Sequence, residues 1–382
     1  MLHQGGFERV CVTTARLLKD YFDITIVIFD DADIAYDIAG LKIVNLNIPV
    51  IGPRILKPVN ILRRARKLKR IKKQLLPFAS YSFGSSANIA NCLSKVKGQK
   101  TWVGLRSYLD MFDIYKIRLF ISRADRIICC AKVIEDELRS KYGYEDAVTL
   151  YNPYDVEKIC KEANEEVSFP WDGHGEDTDC KSSIDGECDH EIFNLMCMGR
   201  EDDVKGYWHA IKALCLIRKK VPGARLVFIG DGDFGKYKKL ANDLGIAEYV
   251  FFAGLAKNPY KYLKKGSVYL LTSENEGFPN ALVEGMLLGN AAVAVDCVCG
   301  PAEILDGGRY GILLPDFEHG INLDAGVITD EEVRFAAAVT ELLCDKEKLN
   351  KYRELAVKRA GDFSHSSYIK SFLDIAKNDM KR

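Results

Sequence analysis

Apolar residues along this chain fall into two alternating rhythms. Short apolar runs occur at 24–29, 41–46, 101–105, 126–130 and 148–150, and the stretches between them space apolar residues helically. The first helical stretch, 8–21, sets Val10, Ala15, Leu17 and Leu18 on or near one side. Short runs alternating with helical stretches predict the α/β class. A second series follows with higher contrast. Strands are predicted at 193–198, 225–229, 249–252, 268–272 and 291–295, and helices at 205–220, 234–244, 259–265 and 279–288. Strands separated by helices of this length pair in parallel through crossovers. Two Rossmann-like, doubly wound domains are therefore expected, with a ligand cleft between the carboxyl ends of their strands.

The two series are separated by a break. Asn152 and Pro153 interrupt the pattern, and the acidic stretch 161–191 follows with Pro170, Gly173, Gly175, Ser182, Ser183 and Gly186. Residues 156–191 are expected to form a linker or surface insertion between an N-terminal domain, 1–155, and a C-terminal domain, 192–363. One irregularity stands at the start. A doubly wound domain normally opens with a strand feeding a glycine turn, but here Gly5 and Gly6 follow only four residues, so the opening strand is expected to be missing from the first sheet.

Composition sharpens this picture. A length of 382 residues suits two domains, and 48% hydrophobic with 28% charged residues is ordinary globular composition. Lys and Arg balance Asp and Glu at 54 each, which argues against a nucleic-acid partner. By segment the balance breaks: residues 1–160 carry a net charge of +9, residues 161–191 carry −9, and the remainder is neutral. No apolar run approaches the roughly 18 residues of a membrane span, and the first residues lack an apolar signal core. A cytoplasmic location is expected. Most of the twelve cysteines sit in apolar runs (Cys11, Cys92, Cys129, Cys130, Cys197, Cys215, Cys344), as small hydrophobes would, and no disulfide framework is expected.

Two constellations carry candidate chemistry. After the predicted strand at 268–272 the chain runs from Ser273 to Glu284, placing Glu276 in the strand-to-helix turn and Glu284 two turns into the helix. Backbone N–H groups at such a helix start can receive a phosphate or a sugar hydroxyl. In isolation, a pair of carboxylates at this spacing is usually an ordinary solvated helix face. After the strand at 193–198 come Gly199, Arg200, Lys205 and Gly206. Two cations fixed at a strand's carboxyl end can stabilise a departing diphosphate without a metal, although a surface Arg and Lys in a loop is the plain alternative. The turn with Gly230 and Gly232 is a weak signal by itself.

The run EGFPNALVE, with GR-x4-KG upstream, resembles the family-4 retaining glycosyltransferases of the GT-B fold, whose signature is Glu, seven residues, Glu in the second domain. The GGFER opening, YNPYD at 151–155, GDGDF at 230–234 and a closing helix after Phe363 and Ser364 match in the same order. The resemblance implies that the closing helix, 364–380, packs back on the first domain. It implies that Arg200 and Lys205 grip the diphosphate of a nucleotide sugar, while Glu276 meets hydroxyls of the donor sugar. Gly277, Phe278 and Pro279 would hold the sugar and distal phosphate, with Ser273 and Asn280 beside them, and Glu284 would accept bonds from the ribose hydroxyls. Gly230 and Gly232 would form the tight turn beside the nucleotide, and Gly5 and Gly6 the first-domain loop over the phosphates and acceptor.

Many family members carry a His in a first-domain loop that here reads Gly104, Leu105, Arg106, Ser107, and Arg106 is expected to face the cleft in its place. The stretch Asp296, Cys297, Gly300, Pro301, Glu303, Ile304, Leu305 resembles members that use UDP-linked hexoses or N-acetylhexosamines to build surface glycans, which favours UDP over GDP. The implied reaction uses a nucleotide-sugar donor and a glycan or lipid-linked acceptor, with no cofactor and no metal. A noncatalytic sugar-binding or scaffold protein is the alternative; a dehydrogenase is disfavoured because neither half has a GxGxxG after a strand.

Residues 61–76 set Ile61, Leu62, Ala65, Leu68, Ile71 and Leu75 at helical spacing among Arg63, Arg64, Arg66, Lys67, Lys69, Arg70, Lys72 and Lys73. A basic amphipathic helix suits an anionic membrane surface; a core-packed helix with a solvated basic face is the alternative. His174, Cys180, Cys188 and His190 lack the usual CxxC spacing of a zinc site.

Overall fold

The computed structural model describes residues 6–31, 34–48, 57–172 and 191–381. The chain divides into two compact units, one of residues 1–154 with 363–382 and the other of residues 155–362. In the first unit α1 (Gly6–Leu18) leads to β1 (Thr25–Ile28), β2 (Lys42–Asn45), α2 (Lys57–Leu75), β3 (Ala79–Phe83) and α3 (Ser85–Leu93). There follow β4 (Lys100–Leu105), α4 (Ile114–Arg123), β5 (Arg126–Cys129), α5 (Lys132–Tyr142) and β6 (Ala147–Thr149).

All pairings are parallel, but the strands form two separate sheets, β1-β2 and β3-β4-β5-β6. Among the described residues no strand joins β1 to β3. Helix α1 spans the two sheets instead: Val12 and Ala15 pack with Ile26 and Ile28 of β1, while Leu17 and Leu18 join the cluster holding Trp102 of β4 and Ile128 of β5. Strand β3, ASYSF, has no apolar run to predict it. Its polar inward positions are satisfied by α3: Ser80 Oγ donates to Asn91 Oδ1 at 2.9 Å and Ser82 Oγ to Asn88 Oδ1 at 2.7 Å. Asn91 Nδ2 in turn donates to the carbonyls of Ser80 and Trp102, both at 3.0 Å, so a hydrogen-bonded network replaces apolar packing there.

The second unit opens with α6 (Val156–Glu162) and continues through β7 (Phe193–Met198), α7 (Tyr207–Ile217), β8 (Ala224–Ile229), α8 (Gly235–Asp243), β9 (Val250–Phe252) and α9 (Tyr260–Leu263). It then runs through β10 (Val268–Leu271), α10 (Asn280–Leu287), β11 (Ala291–Val295), α11 (Pro301–Ile304), β12 (Ile312–Leu314), α12 (Asp330–Cys344) and α13 (Lys346–Gly361). Its single parallel sheet has the order β12-β11-β10-β7-β8-β9. Strands β10 and β11 are buried along their whole length, which is why they read as unbroken apolar runs. The strand order reverses direction between β7 and β10, so the loops leaving these two strands flank the topological switch point, where doubly wound sheets bind ligands.

The stretch expected to be a linker is partly built into this unit. Ile159 of α6, Phe169 and Trp171 are buried. Phe169 stacks on Trp171 at 5.3 Å, and both meet Phe251 edge-on. Three apolar anchors thus fasten an otherwise polar segment. His174, Cys180, Cys188 and His190 lie outside the described residues.

The chain returns to the first unit with α14 (His365–Met380). Tyr368, Phe372, Ile375 and Ala376 pack with Leu18, Trp102, Ile128 and Leu150. Asp379, buried, accepts from Arg126 Nε at 3.0 Å and from Trp102 Nε1 at 2.7 Å.

Candidate active site

The loop from β7 to α7 and the loop from β10 to α10 are bonded to each other. Glu274 N donates to Val204 O at 2.9 Å, and Thr272 Oγ1 donates to Lys205 O at 3.0 Å. Gly206 makes this approach possible: its φ is +58°, and a Cβ there would stand 2.2 Å from Thr272 O. Only a residue without a side chain satisfies both conditions. One turn into α7, His209 Nδ1 meets Glu332 Oε1 at 2.7 Å, which ties the start of that helix to the start of α12.

With the backbones so held, Lys205 Nζ donates to Glu276 Oε1 at 2.8 Å, and Ser273 Oγ donates to the same oxygen at 2.7 Å. Both charged side chains are largely buried. Such charge-assisted bonds in a partly desolvated place are stronger than surface pairs. Arg200 stands apart from this group, 76% exposed, with its guanidinium donating to Asp202 Oδ2 at 2.9 Å.

Glu284 is buried inside α10, and Tyr260 Oη reaches its Oε1 at 3.5 Å. Phe278 is buried, Gly277 and Pro279 shape the turn into α10, and Asn280 is its first residue. Cys299 Sγ donates to Gly277 O at 3.0 Å, so the loop after β11 supports this turn from behind. Burial pushes the neighbouring Cys297 thiol up to about 12, leaving it neutral. Across the switch point, Gly230 follows β8, and a Cβ there would fall 1.9 Å from Gly199 O, a contact that only glycine permits. Gly232 lies against Glu201, whose Oε2 accepts from Phe234 N at 2.7 Å. Among the described residues no three His, Cys, Asp or Glu side chains cluster as a metal site.

Glycosyltransferase Family 4 is the description matched by residues 4–158, and Glycosyl transferases group 1 that matched by residues 192–345. The chain belongs to the group 1, family-4 glycosyltransferases. An uncharacterised glycosyltransferase of Methanocaldococcus jannaschii is 26% identical over 356 residues, covering 83% of this chain and 84% of that protein. N-acetylgalactosamine-N,N'-diacetylbacillosaminyl-diphospho-undecaprenol 4-alpha-N-acetylgalactosaminyltransferase of Campylobacter jejuni is 25% identical over 330 residues, covering 82% of this chain and 83% of its own length. Among solved structures, the lipopolysaccharide outer core galactosyltransferase WaaB superposes with a TM-score of 0.73 at 17% identity, over 99% of this chain and 97% of its own. HepE of Anabaena, in complex with UDP-glucose, superposes with a TM-score of 0.68 at 17% identity, over 100% of this chain and 98% of its own. These two likenesses carry the fold, which is GT-B with two Rossmann-like domains.

In the glycosyltransferase's first unit, Gly6 begins α1, and Gly5 lies outside the described residues. Arg106, expected to face the cleft, makes its bonds within the first unit. Its guanidinium turns into the body of the unit, donating to Tyr81 Oη and, at 3.2 Å, to Asn152 Oδ1, and lying over the Phe83 ring at 5.2 Å. These acceptors and aromatic faces hold it at the carboxyl end of β4. Two supporting residues were missed from the sequence. Tyr260 carries no local signal, and Cys299 lay inside the DCVCGP stretch that was read only for donor identity.

Proposed function

We propose that this glycosyltransferase moves a hexose or N-acetylhexosamine from a UDP-sugar to a glycan or lipid-linked acceptor, with retention of anomeric configuration, in surface-glycan synthesis. One observation carries the reading: Lys205 and Glu276, from the two strand ends that flank the switch point, meet at 2.8 Å beside the start of α10. A lysine there supplies the charge that a leaving diphosphate needs, Arg200 adds a second cation from its exposed loop, and no metal or cofactor is required. Glu276 would meet the donor sugar's hydroxyls and Glu284 the ribose. The leaving phosphate would take the acceptor's proton on the face it departs from, and exclusion of water would suppress hydrolysis. The basic face of 61–76 would hold the enzyme at an anionic membrane surface.

The relatives support this reading in kind. The Campylobacter jejuni protein is named for transfer to a diphospho-undecaprenol-linked glycan, and HepE was crystallised with UDP-glucose. Calorimetric titration of UDP and of GDP into the full chain tests it, with UDP expected to bind and Lys205→Ala to weaken it about tenfold. Binding of neither nucleotide would remove the donor reading. Retention is tested by NMR of the anomeric proton in the first product formed.

A further inference from the structure

Helix α7 starts directly after Lys205 and Gly206, and it buries two polar side chains, His209 and Lys212. Three positions apart, they lie on one side of the helix, and both meet Glu332, the third residue of α12. Lys212 and Glu332 are wholly buried, and His209 nearly so. Glu332 divides its carboxylate. Its Oε2 accepts from Thr329 N at 2.9 Å and closes the capping box of its own helix. Its Oε1 meets His209 Nδ1 at 2.7 Å and stands 3.7 Å from Lys212 Nζ. A carboxylate only accepts, so Nδ1 carries the proton of this bond. Neither His209 Nε2 nor Lys212 Nζ makes a hydrogen bond among the described residues. The bond to Glu332 is therefore what sets the rotation of the imidazole.

That ring stands against the loop that carries Lys205. Its Cδ2 lies 3.2 Å from the place a Cβ on Gly206 would take, and its face stacks on the buried Phe317 with centroids 3.8 Å apart and planes 10° apart. Phe317 belongs to the loop after β12. Three residues further on, Gly320 N donates to Glu274 Oε1 at 3.0 Å, in the loop that carries Glu276. The short stretch 316–320 is thus joined to the Lys205 loop through the His209 ring and to the Glu276 loop through Gly320. Apolar side chains of the same volume would fill this space, and a buried ion pair is not by itself a source of stability. What the polar set adds is orientation, because a satisfied hydrogen bond fixes a ring that apolar contact leaves free to turn.

We propose that His209 is a positioning residue for Lys205: the Glu332 carboxylate and the Phe317 face hold its ring against Gly206, and so hold the lysine where it meets the diphosphate of the donor. The proposal rests on the donor reading of Lys205 in the proposed function and adds a residue, one turn into α7, that keeps this cation in register.

The test compares UDP with uridine on the full chain, by calorimetry for UDP and ligand-observed NMR for uridine, because the ratio of their affinities isolates the contribution of the diphosphate. Lys205→Ala is expected to lower UDP affinity about tenfold and leave uridine unchanged. His209→Leu, which keeps the bulk and removes the bond, is expected to do the same. His209→Asn keeps an N–H near the place of Nδ1 and is expected to stay within about threefold of the wild type. Added to Lys205→Ala, His209→Leu is expected to cost nothing further. Three results would overturn the proposal: an unchanged UDP-to-uridine ratio in folded His209→Leu, equal losses for both ligands, or a full second loss on top of Lys205→Ala. If His209→Leu does not fold, Phe317→Leu, which removes the stack and leaves the bond, takes its place with the same outcomes. UDP bound no more tightly than uridine by the wild type, or a Lys205→Ala chain that binds UDP normally, would remove the donor reading and this proposal with it. A Lys205→Ala loss that His209→Leu does not reproduce would remove this proposal alone.

Discussion

Lys205 and Glu276 are 71 residues apart in sequence and 2.8 Å apart in the fold, each held at the carboxyl end of a strand next to the topological switch point. The pair acts as a unit, so its members should be non-additive. Lys205→Ala and Glu276→Ala are each expected to lower kcat by roughly a hundredfold or more. The double variant should fall no more than about tenfold below the worse single one. Steady-state kinetics on the three variants checks this, and multiplicative losses would mean that the two side chains work independently.

Gly206 sets the loop that carries Lys205. With φ at +58° and Thr272 O in the space a Cβ would take, Gly206→Ala forces the two loops apart. Stability should drop by about 1–3 kcal/mol, and kcat should fall with it because Lys205 moves. Denaturant melts and kinetics on the same preparation check both; full activity in a destabilised variant would uncouple the loop from the chemistry.

Asp379 neutralises Arg126 in the interior of the first unit. Asp379→Ala leaves that guanidinium buried without its carboxylate and Trp102 Nε1 without its acceptor. A loss of about 3–5 kcal/mol is expected. Hydrogen exchange resolves where it falls: amides of β4 and β5 should exchange faster, and those of β8 in the second unit should not change.

Lys72 gives a pH signature. It is buried against α3, donating to Asn91 Oδ1 at 2.6 Å, and burial lowers its ammonium to about 8 from 10.5. Below pH 8 the native state bears the cost of the buried charge. Between pH 8 and 10.5 the native side chain has released a proton that the unfolded chain still holds, so stability rises with pH across that window. Relative to Lys72→Met, the wild type should gain up to roughly 3 kcal/mol there. Urea melts at stepped pH measure the difference, and a flat difference would place the ammonium in water.

Legibility in the sequence followed burial. Strands β7, β10 and β11 are covered on both faces, so their apolar runs announced them, and Lys205 and Glu276 were visible because they stand in the loops that leave such runs. Strand β3 was invisible because Ser80 and Ser82 satisfy its inward positions through asparagines rather than apolar contact. Phe169 and Trp171 were hidden in an acidic stretch whose average composition concealed two anchors. The partners of Arg106 were hidden for a different reason. A sequence shows a charge but not its partners, and Tyr81 and Asn152 lie 25 and 46 residues away.

Helix α14 has a temporal consequence. The second unit is spliced between the two parts of the first, so a growing polypeptide emits residues 155–362 before the helix that covers Trp102, Ile128 and Leu150. On the ribosome the second unit can close its core while the first still exposes an aromatic face and a lone Arg126. The earlier-made unit is the later one to mature, and in that interval its uncovered face is a natural substrate for a chaperone.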